Sequence, residues 1–480
     1  MLFRSEAFGE FELPLVRDRL GARYLSLNLT GRRTLNKQSR KTLNEASTFV
    51  NRANNDSSSE RYGTSWRASL NWSVTEYLRL RATRSADIRS PSSQELFNST
   101  TSQAGGFGAV GGRPNPWRDP SGPGGTNTQS EDPYGRIRGG NEALGNELNQ
   151  TESIGLVITP GGIAEGLAIS FDYSEITVKG GITYLNDSVT SVQGGGGASA
   201  EQEEAGDLSN VPYAIARCYV ENDPFWCEKV IFNPAGSSDE PNTEGLDPYK
   251  DCEANTTCVA RTDIVAYIDT PFNAEPYWTR NLDVSVSYNL QLNGGGSLSM
   301  RLLGTHALEQ SRCLQVDRSA DGRSAECLER RNVVGVTGSG GGTPGYTNFT
   351  SQPSWSGNFY TSYSKNAFTI TGQARYTGKG TQGLDTTGPG DPDYVPNAYG
   401  TWYQNHLPSW TTFNLTTSYN FARSRFAPER FENLQLSLTI DNLFDKQPDF
   451  YSCGRCTGGV NTRFYGGNGR TFRLNFRSAF

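Results

Sequence analysis

Along this chain apolar and polar residues take turns, one for one, over stretches of roughly nine to eleven residues, and no other feature restricts its folding as much. In 411–421 Phe413, Leu415, Thr417, Tyr419 and Phe421 fall on one side of an extended chain, while Asn414, Thr416, Ser418 and Asn420 fall on the other. In 282–291 Leu282, Val284, Val286, Tyr288 and Leu290 alternate with Asp283, Ser285, Ser287, Asn289 and Gln291. Trp66, Ala68, Leu70, Trp72 and Val74 repeat the pattern against Arg67, Ser69, Asn71 and Ser73, and Phe368, Ile370, Gly372, Ala374 and Tyr376 repeat it again. Phe472, Leu474, Phe476 and Phe480 carry it to the C-terminal residue. Successive side chains of a strand point to opposite faces, so each stretch is a strand with one apolar and one polar face. A water-soluble chain of 480 residues would divide into several domains, each with its own core. Its 35% hydrophobic content approaches the ordinary apolar share of roughly 45–50% only when its 54 glycines are included, and glycine builds no core. No run of about 18 apolar residues offers a membrane helix.

About thirteen strands follow, near 5–13, 22–31, 63–73, 77–87, 148–158, 167–178, 279–290, 297–306, 354–363, 367–377, 411–421, 434–443 and 470–480. Their connections alternate in length. Short ones run 14–21, 74–76, 159–166, 291–296, 364–366 and 422–433; long ones run 32–62, 88–147, 179–278, 307–353, 378–410 and 444–469. Both ends of a soluble sandwich meet the same solvent and give no reason for such sorting, whereas a membrane separates the two ends. The expected fold is all-β, an antiparallel transmembrane β-barrel in the bacterial (Gram-negative) outer membrane. Its long loops would be extracellular and its C-terminus periplasmic. Bacterial single-chain barrels use an even number of strands, so an odd count implies either a partial barrel with its first strands missing or one further strand that alternation does not reveal. Met1–Glu6 has no charged head, apolar stretch or cleavage site, which the same truncation explains.

Cysteine placement agrees with this orientation. Cys218, Cys227, Cys252 and Cys258 fall in one long connection, Cys313 and Cys327 in another, Cys453 and Cys456 in the last, and none in an expected strand. An even number on one side of an envelope reads as disulfides, paired sequentially, although four cysteines in one loop allow three pairings. The Cys453–Cys456 spacing alone does not make a metal site, having no second pair and no nearby histidine. The two histidines, His306 and His406, stand about a hundred residues apart, and no nucleophile, base and orienting acid converge. The reading is of a protein that is not an enzyme and uses no metal or cofactor. A net charge of −6 argues against a nucleic-acid partner.

Several segments are similar to those of TonB-dependent outer-membrane receptors, over most of 60–480. Thr83 to Pro91 followed by Glu95-Leu96-Phe97 resembles that family's arginine-proline segment at a strand exit, with Arg89, Pro91 and Glu95 as its marks. Gly140 to Glu147 resembles its "GNPNLKPE" stretch, with Asn146 where proline is usual. Asn442-Leu443-Phe444-Asp445 and the terminal Phe480 match further family features, the last being the signal read by the barrel assembly machinery. The resemblance implies a 22-stranded barrel, of which this chain holds the C-terminal part, with an N-terminal plug domain missing along with the first strands. It implies a receptor that binds a scarce nutrient (siderophore, oligosaccharide or corrinoid) outside and imports it with energy from the TonB complex acting through that plug. A passive porin-like channel or a surface adhesin remains the alternative.

Among long-loop aromatics, Trp117, Trp226, Trp355, Trp402 and Tyr403 are the candidate ligand contacts. Tyr277, Trp278, Trp410 and Tyr465, at strand ends, read as residues of the aromatic girdle where lipid meets water. Arg67, Arg79, Arg81, Asp172, Asp283, Arg375 and Asp441 should face the lumen, touching plug or substrate or pairing with one another.

Overall fold

The computed structural model describes residues 2–40, 57–98, 101–103, 135–183, 230–232, 264–273, 276–318, 325–338, 352–383, 387–392, 394–396, 404–421, 434–448, 462–466 and 468–478. One antiparallel sheet dominates it. In chain order its strands are β1 (Leu2–Arg19), β2 (Ala22–Arg40), β3 (Ser57–Ser73), β4 (Leu78–Arg89), β5 (Glu147–Ile158), β6 (Leu167–Lys179), β7 (Tyr277–Leu292) and β8 (Gly296–Arg318). Then follow β9 (Ala325–Asn332), β10 (Trp355–Lys365), β11 (Phe368–Thr377), β12 (Trp410–Asn420), β13 (Leu434–Asp441) and β14 (Thr471–Ser478). Thirteen of them lie side by side in chain order, and β9 pairs with β8 off that path. Among the described residues the path begins at β1 and ends at β14 without closing on itself.

Pairing register sorts the side chains by face. Trp72, Leu80, Leu156, Phe171 and Val284 stand opposite one another across β3 to β7, and Leu302, Phe359, Ala374 and Phe413 continue the apolar face through β8 to β12. Asn71, Arg81, Gly155, Asp172, Asp283 and Thr305 form a row on the other face. Polar side chains there satisfy one another across strands: Thr305 donates to Asp283 at 2.5 Å, Asn414 to Gln373 at 3.0 Å, and Ser362 meets Thr371 at 3.0 Å. The apolar face is uncovered, with Ile154 64% and Phe476 68% exposed. A soluble protein buries such residues, whereas hydrocarbon leaves a strand face bare in just this way. Toward the long connections the apolar rows give way to ion pairs on the same face, Arg84–Glu152 at 3.0 Å and Arg280–Glu309 at 2.5 Å. These mark where the strands leave the apolar layer.

Several strands outrun expectation. β1 passes Pro14 through a bulge between Pro14 and Val16 and turns only at Leu20-Gly21, so 14–21 is mostly strand. β2 and β3 continue beyond the expected 31 and before the expected 63, pairing Arg40 with Ser57. β8 reaches Arg318 and pairs with β9, which places Cys313 and Cys327 in strands and corrects the expectation that every cysteine lies in a connection. Above the apolar layer a strand needs no apolar face, so alternation in the sequence stops while backbone pairing does not. Smaller strands add a four-stranded sheet of Val230–Phe232, Ile264–Asp269, Gly135–Arg138 and Thr101–Gln103 within the connections.

Candidate functional site

Two tightly bonded knots and a cavity stand at the long-connection end of the sheet. The first knot closes the exit of β4. Its sequence breaks alternation at Ser90-Pro91, and Ser92 then caps the short helix α1 (Ser93–Phe97): the Glu95 N–H donates to Ser92 Oγ at 3.3 Å, and the Ser92 N–H donates to Glu95 Oε2 at 2.6 Å. Arg89 forks onto Glu147 of β5, from Nε at 2.5 Å and Nη2 at 2.7 Å, and reaches Glu95 at 3.1–3.2 Å. Burial pushes the Glu95 carboxyl up, but hydrogen bonds from Arg89 and Ser92 outweigh it and hold the group below its usual range. Leu96 and Phe97 bury against Leu144, with Ile182 beside them. The Gly140–Glu147 stretch wraps this knot. A Cβ at Gly140 would meet the Leu96 carbonyl oxygen at 2.4 Å, so glycine is required there. Arg61 donates to the Leu144 carbonyl at 2.9 Å, and Asn146 to that of Tyr62 at 2.9 Å. Arg89, Pro91 and Glu95 are thus brought together, with Pro91 buried and its carbonyl accepting from Gln38 at 2.8 Å.

The second knot closes the exit of β13. Asn442 and Asp445 adopt φ of 51° and 53°, a left-handed conformation that Asn and Asp tolerate better than most residues. The Asn442 side chain clasps Lys446 twice, accepting from its N–H at 2.9 Å and donating to its carbonyl at 2.8 Å. The Asn442 N–H donates to Asn414 Oδ1 at 2.9 Å, the Leu443 N–H to the Phe413 carbonyl at 2.7 Å, and the Arg470 N–H to Asp445 Oδ1 at 2.8 Å. Phe444 packs edge-on against Phe413, on the apolar face.

Beside this knot the polar face borders an open cavity of about 610 Å³, with Arg375, Trp410, Asp441, Asn442, Lys446 and Tyr465 in its wall. The Lys446 ammonium lies 4.3 Å from the centre of the Trp410 ring, and Tyr465 meets that ring edge-on at 6.0 Å. Tyr465 is fully buried, with its hydroxyl 2.6 Å from Thr337 Oγ1, and burial raises its pKa. Sequence reasoning placed Trp410 and Tyr465 in the lipid girdle, and the structure corrects both. Trp410 shares the parity of Thr412 and Asn414, which would have assigned it to the polar face. Tyr277 is corrected likewise, since it stands three places from Arg280 and five from Leu282 on the opposite face. Trp278 alone of the four keeps the apolar face, under the Arg330 guanidinium at 3.7 Å.

Trp355 lies on that apolar face too, opposite His306 and stacked on its ring at 4.1 Å and 7°. It faces away from the polar surface. The other ligand candidates, Trp117, Trp226, Trp402 and Tyr403, lie outside the described residues, as do Cys218, Cys227, Cys252, Cys258, Cys453, Cys456 and Phe480. Cys327 is disulfide-bonded. Of the expected lumen residues, Arg81 pairs with Asp172 at 2.7 Å, and Asp441 with Arg473 at 2.6 Å. The Arg81–Asp172 pair spans from β4 to β6 over Gly155, where a Cβ would come within 2.1 Å of Asp172 Oδ1. Asn273 and Arg61 were not singled out in the sequence, and Glu147 only as the last residue of the Gly140–Glu147 stretch. Each acts through a partner at least 58 residues away, a distance no local pattern encodes. Among the described residues no group of three His, Cys, Asp or Glu could hold a metal ion.

The geometry is that of a membrane-spanning sheet with its bonded, polar end at the long connections. No curated protein matches the chain in sequence. Similar solved structures include a variant of the ferric enterobactin receptor PfeA of Pseudomonas aeruginosa with enterobactin, at 15% identity and a TM-score of 0.47 over 100% of this chain and 54% of that one. The siderophore receptor PirA of Acinetobacter baumannii is similar at 13% identity and 0.45, over 100% and 55%. The hemophore receptor HasR of Serratia marcescens, in complex with HasA and heme, is similar at 12% and 0.45, over 99% and 51%. The chain therefore spans about half the length of these structures. A family model described as TonB dependent receptor-like, beta-barrel, matches residues 3–443, beginning well ahead of residue 60 and stopping short of β14. With that match over most of its length, the chain belongs to the TonB-dependent receptors, matching the model of their β-barrel.

Proposed function

We infer that this chain is the membrane wall of a receptor that binds a scarce nutrient, a siderophore, oligosaccharide or corrinoid, and imports it with energy from the TonB complex. The observation that carries the reading is the segregation of the sheet: lipid-compatible on one face, polar and hydrogen-bonded on the other, with its knots and cavity at one end. On this reading the long connections are extracellular and capture the ligand. A plug domain transmits the pull of TonB from the periplasm, the C-terminus faces the periplasm, and Phe480 presents the chain to the barrel assembly machinery.

Uptake by cells carrying or lacking the full gene decides the matter. Labelled iron chelates, corrinoids and oligosaccharides would be offered with and without a protonophore. A TonB-driven receptor gives uptake of one class that disappears when the proton gradient collapses. Uptake that persists with the protonophore would establish a passive pore instead, and no gene-dependent uptake of any class would favour an adhesin.

A further inference from the structure

The 610 Å³ cavity beside β11 and β12 has an uncompensated positive charge. Its acid, Asp441, is already bound by Arg473 at 2.6 Å and by the Thr471 hydroxyl at 3.4 Å. Its two cations are not. Arg375 has no hydrogen bond or ion pair among the described residues, and the Lys446 ammonium has only the face of Trp410 at 4.3 Å. Both stand on fixed backbone: Arg375 lies between Asn358 and Thr412 in a three-strand register, and Lys446 is clasped by Asn442. The neutral amide of Asn414 is committed on both sides, to Gln373 and to the Asn442 N–H. What remains open to a guest is a guanidinium fork and an ammonium, since Trp410 is buried beneath Lys446 and against Tyr465. Both cations are exposed, and the forked donor set of the guanidinium suits a carboxylate or phosphate. The volume lies within the roughly 300–1,000 Å³ of small-molecule sites and is far too large for a single inorganic ion.

We propose that this cavity binds a small organic oxyanion, its carboxylate or phosphate held between Arg375 and Lys446 and its body filling the rest of the cavity. The proposal rests on the receptor reading and gives the ligand a charge and a size. Full-length receptor purified in detergent would be titrated calorimetrically with citrate, glucose 6-phosphate, inorganic phosphate and uncharged maltotriose. Saturable binding of citrate or glucose 6-phosphate at one site is expected, with no binding of inorganic phosphate or maltotriose. Arg375→Gln and Lys446→Gln should each weaken it at least tenfold, the double variant should abolish it, and Arg375→Lys should recover part of the loss. Affinity should also fall as salt rises. Failure of both organic anions to bind the native receptor, or equal binding by the double variant, would overturn the proposal. Because binding in detergent needs no TonB, a negative titration alongside energy-dependent uptake in cells would discard this site and leave the receptor reading intact.

Discussion

Removing the Arg89 guanidinium is expected to unfasten the exit of β4 while leaving the sheet paired. The side chain is 42% exposed, but its partners Glu147 and Glu95 are 12% and 14% exposed, so Arg89→Ala leaves two carboxylates largely shut off from water. Hydrogen bonds to charged groups are worth roughly 1.5–3 kcal/mol when well made, and solvent access to the guanidinium argues for the lower part of that range. The short fork on Glu147 then contributes about 2 kcal/mol and the longer contacts to Glu95 about 1 kcal/mol, or about 3 kcal/mol of local stability. At about 1.4 kcal/mol per factor of ten, local opening becomes more than a hundredfold easier. Hydrogen exchange with mass spectrometry on the detergent-solubilised receptor reads this directly. The Ile182 N–H donates to Glu147 Oε1 at 2.5 Å and the Asn141 N–H to the Glu95 carbonyl at 2.8 Å, so peptides containing these amides should lose protection. Amides in the middle of β5 and β6 should not, because their bonds belong to the sheet. Arg89→Lys retains the charge but loses the fork, and should recover about half of the effect. Unchanged exchange at Ile182 and Asn141 in Arg89→Ala would refute the claim that this arginine holds the strand exit together.

Acid should act on the same knot. Glu95 is held below its usual range in the folded state, so its contribution is present above the unfolded value of about 4.3 and is lost as pH falls through the lower folded value. Protection of the Asn141 amide should therefore be flat from pH 8 to 5 and decline only below about pH 4, and a decline beginning near neutrality would contradict the assignment. On the apolar face, Phe171→Arg should cost about 2–4 kcal/mol and deplete the receptor from outer-membrane fractions, whereas Ser170→Arg, one residue away on the polar face, should accumulate normally. Gly155→Val should separate Arg81 from Asp172 at a cost of about 1 kcal/mol, measurable as a lower denaturation midpoint that is absent when the substitution is made in an Arg81→Ala, Asp172→Ala background. Peptide mapping under non-reducing conditions should find Cys327 joined to Cys313, which lies on the paired strand β8, and a different partner would overturn sequential pairing.

How much could be read from the sequence depended on whether lipid imposed a pattern. Between Leu167 and Lys179, or between Tyr277 and Leu292, hydrocarbon on one face dictates every second residue, and the expected strands agree with the observed ones to within two residues. Beyond the apolar layer nothing imposes alternation. The outer parts of β2, β3 and β8, and all of β9, were therefore invisible although their backbones pair in the same way. The aromatic assignments failed for another reason. Trp410, Tyr277 and Tyr465 were judged by residue type and position near a strand end, when the parity of Phe413 and Leu282 already assigned the first two to the polar face. Arg89, Glu95 and Asn442 were visible as family marks, but their role as knots depended on Glu147 and Asn414, contributed by neighbouring strands.

That both knots are polar follows from their location. A strand exit on the lumen side meets water, so an apolar plug of side chains has little there to bury against. Among the described residues small clusters form, Leu96, Phe97 and Leu144 at one exit and Leu407, Trp410 and Tyr465 at the other. Directional bonds must then fix the chain where it leaves the sheet, and charge-assisted forks and side-chain clasps are the strongest available. Such bonds use up the charges that take part in them: Arg89 with two carboxylates, Asp441 with Arg473, Arg81 with Asp172. Charges left over on the polar face are consequently informative. Arg375 lies beside a knot yet takes no part in it, and it stands exposed at the edge of the cavity with no hydrogen bond or ion pair among the described residues. A cation that the wall itself does not use is the place to look for what the wall was built to hold.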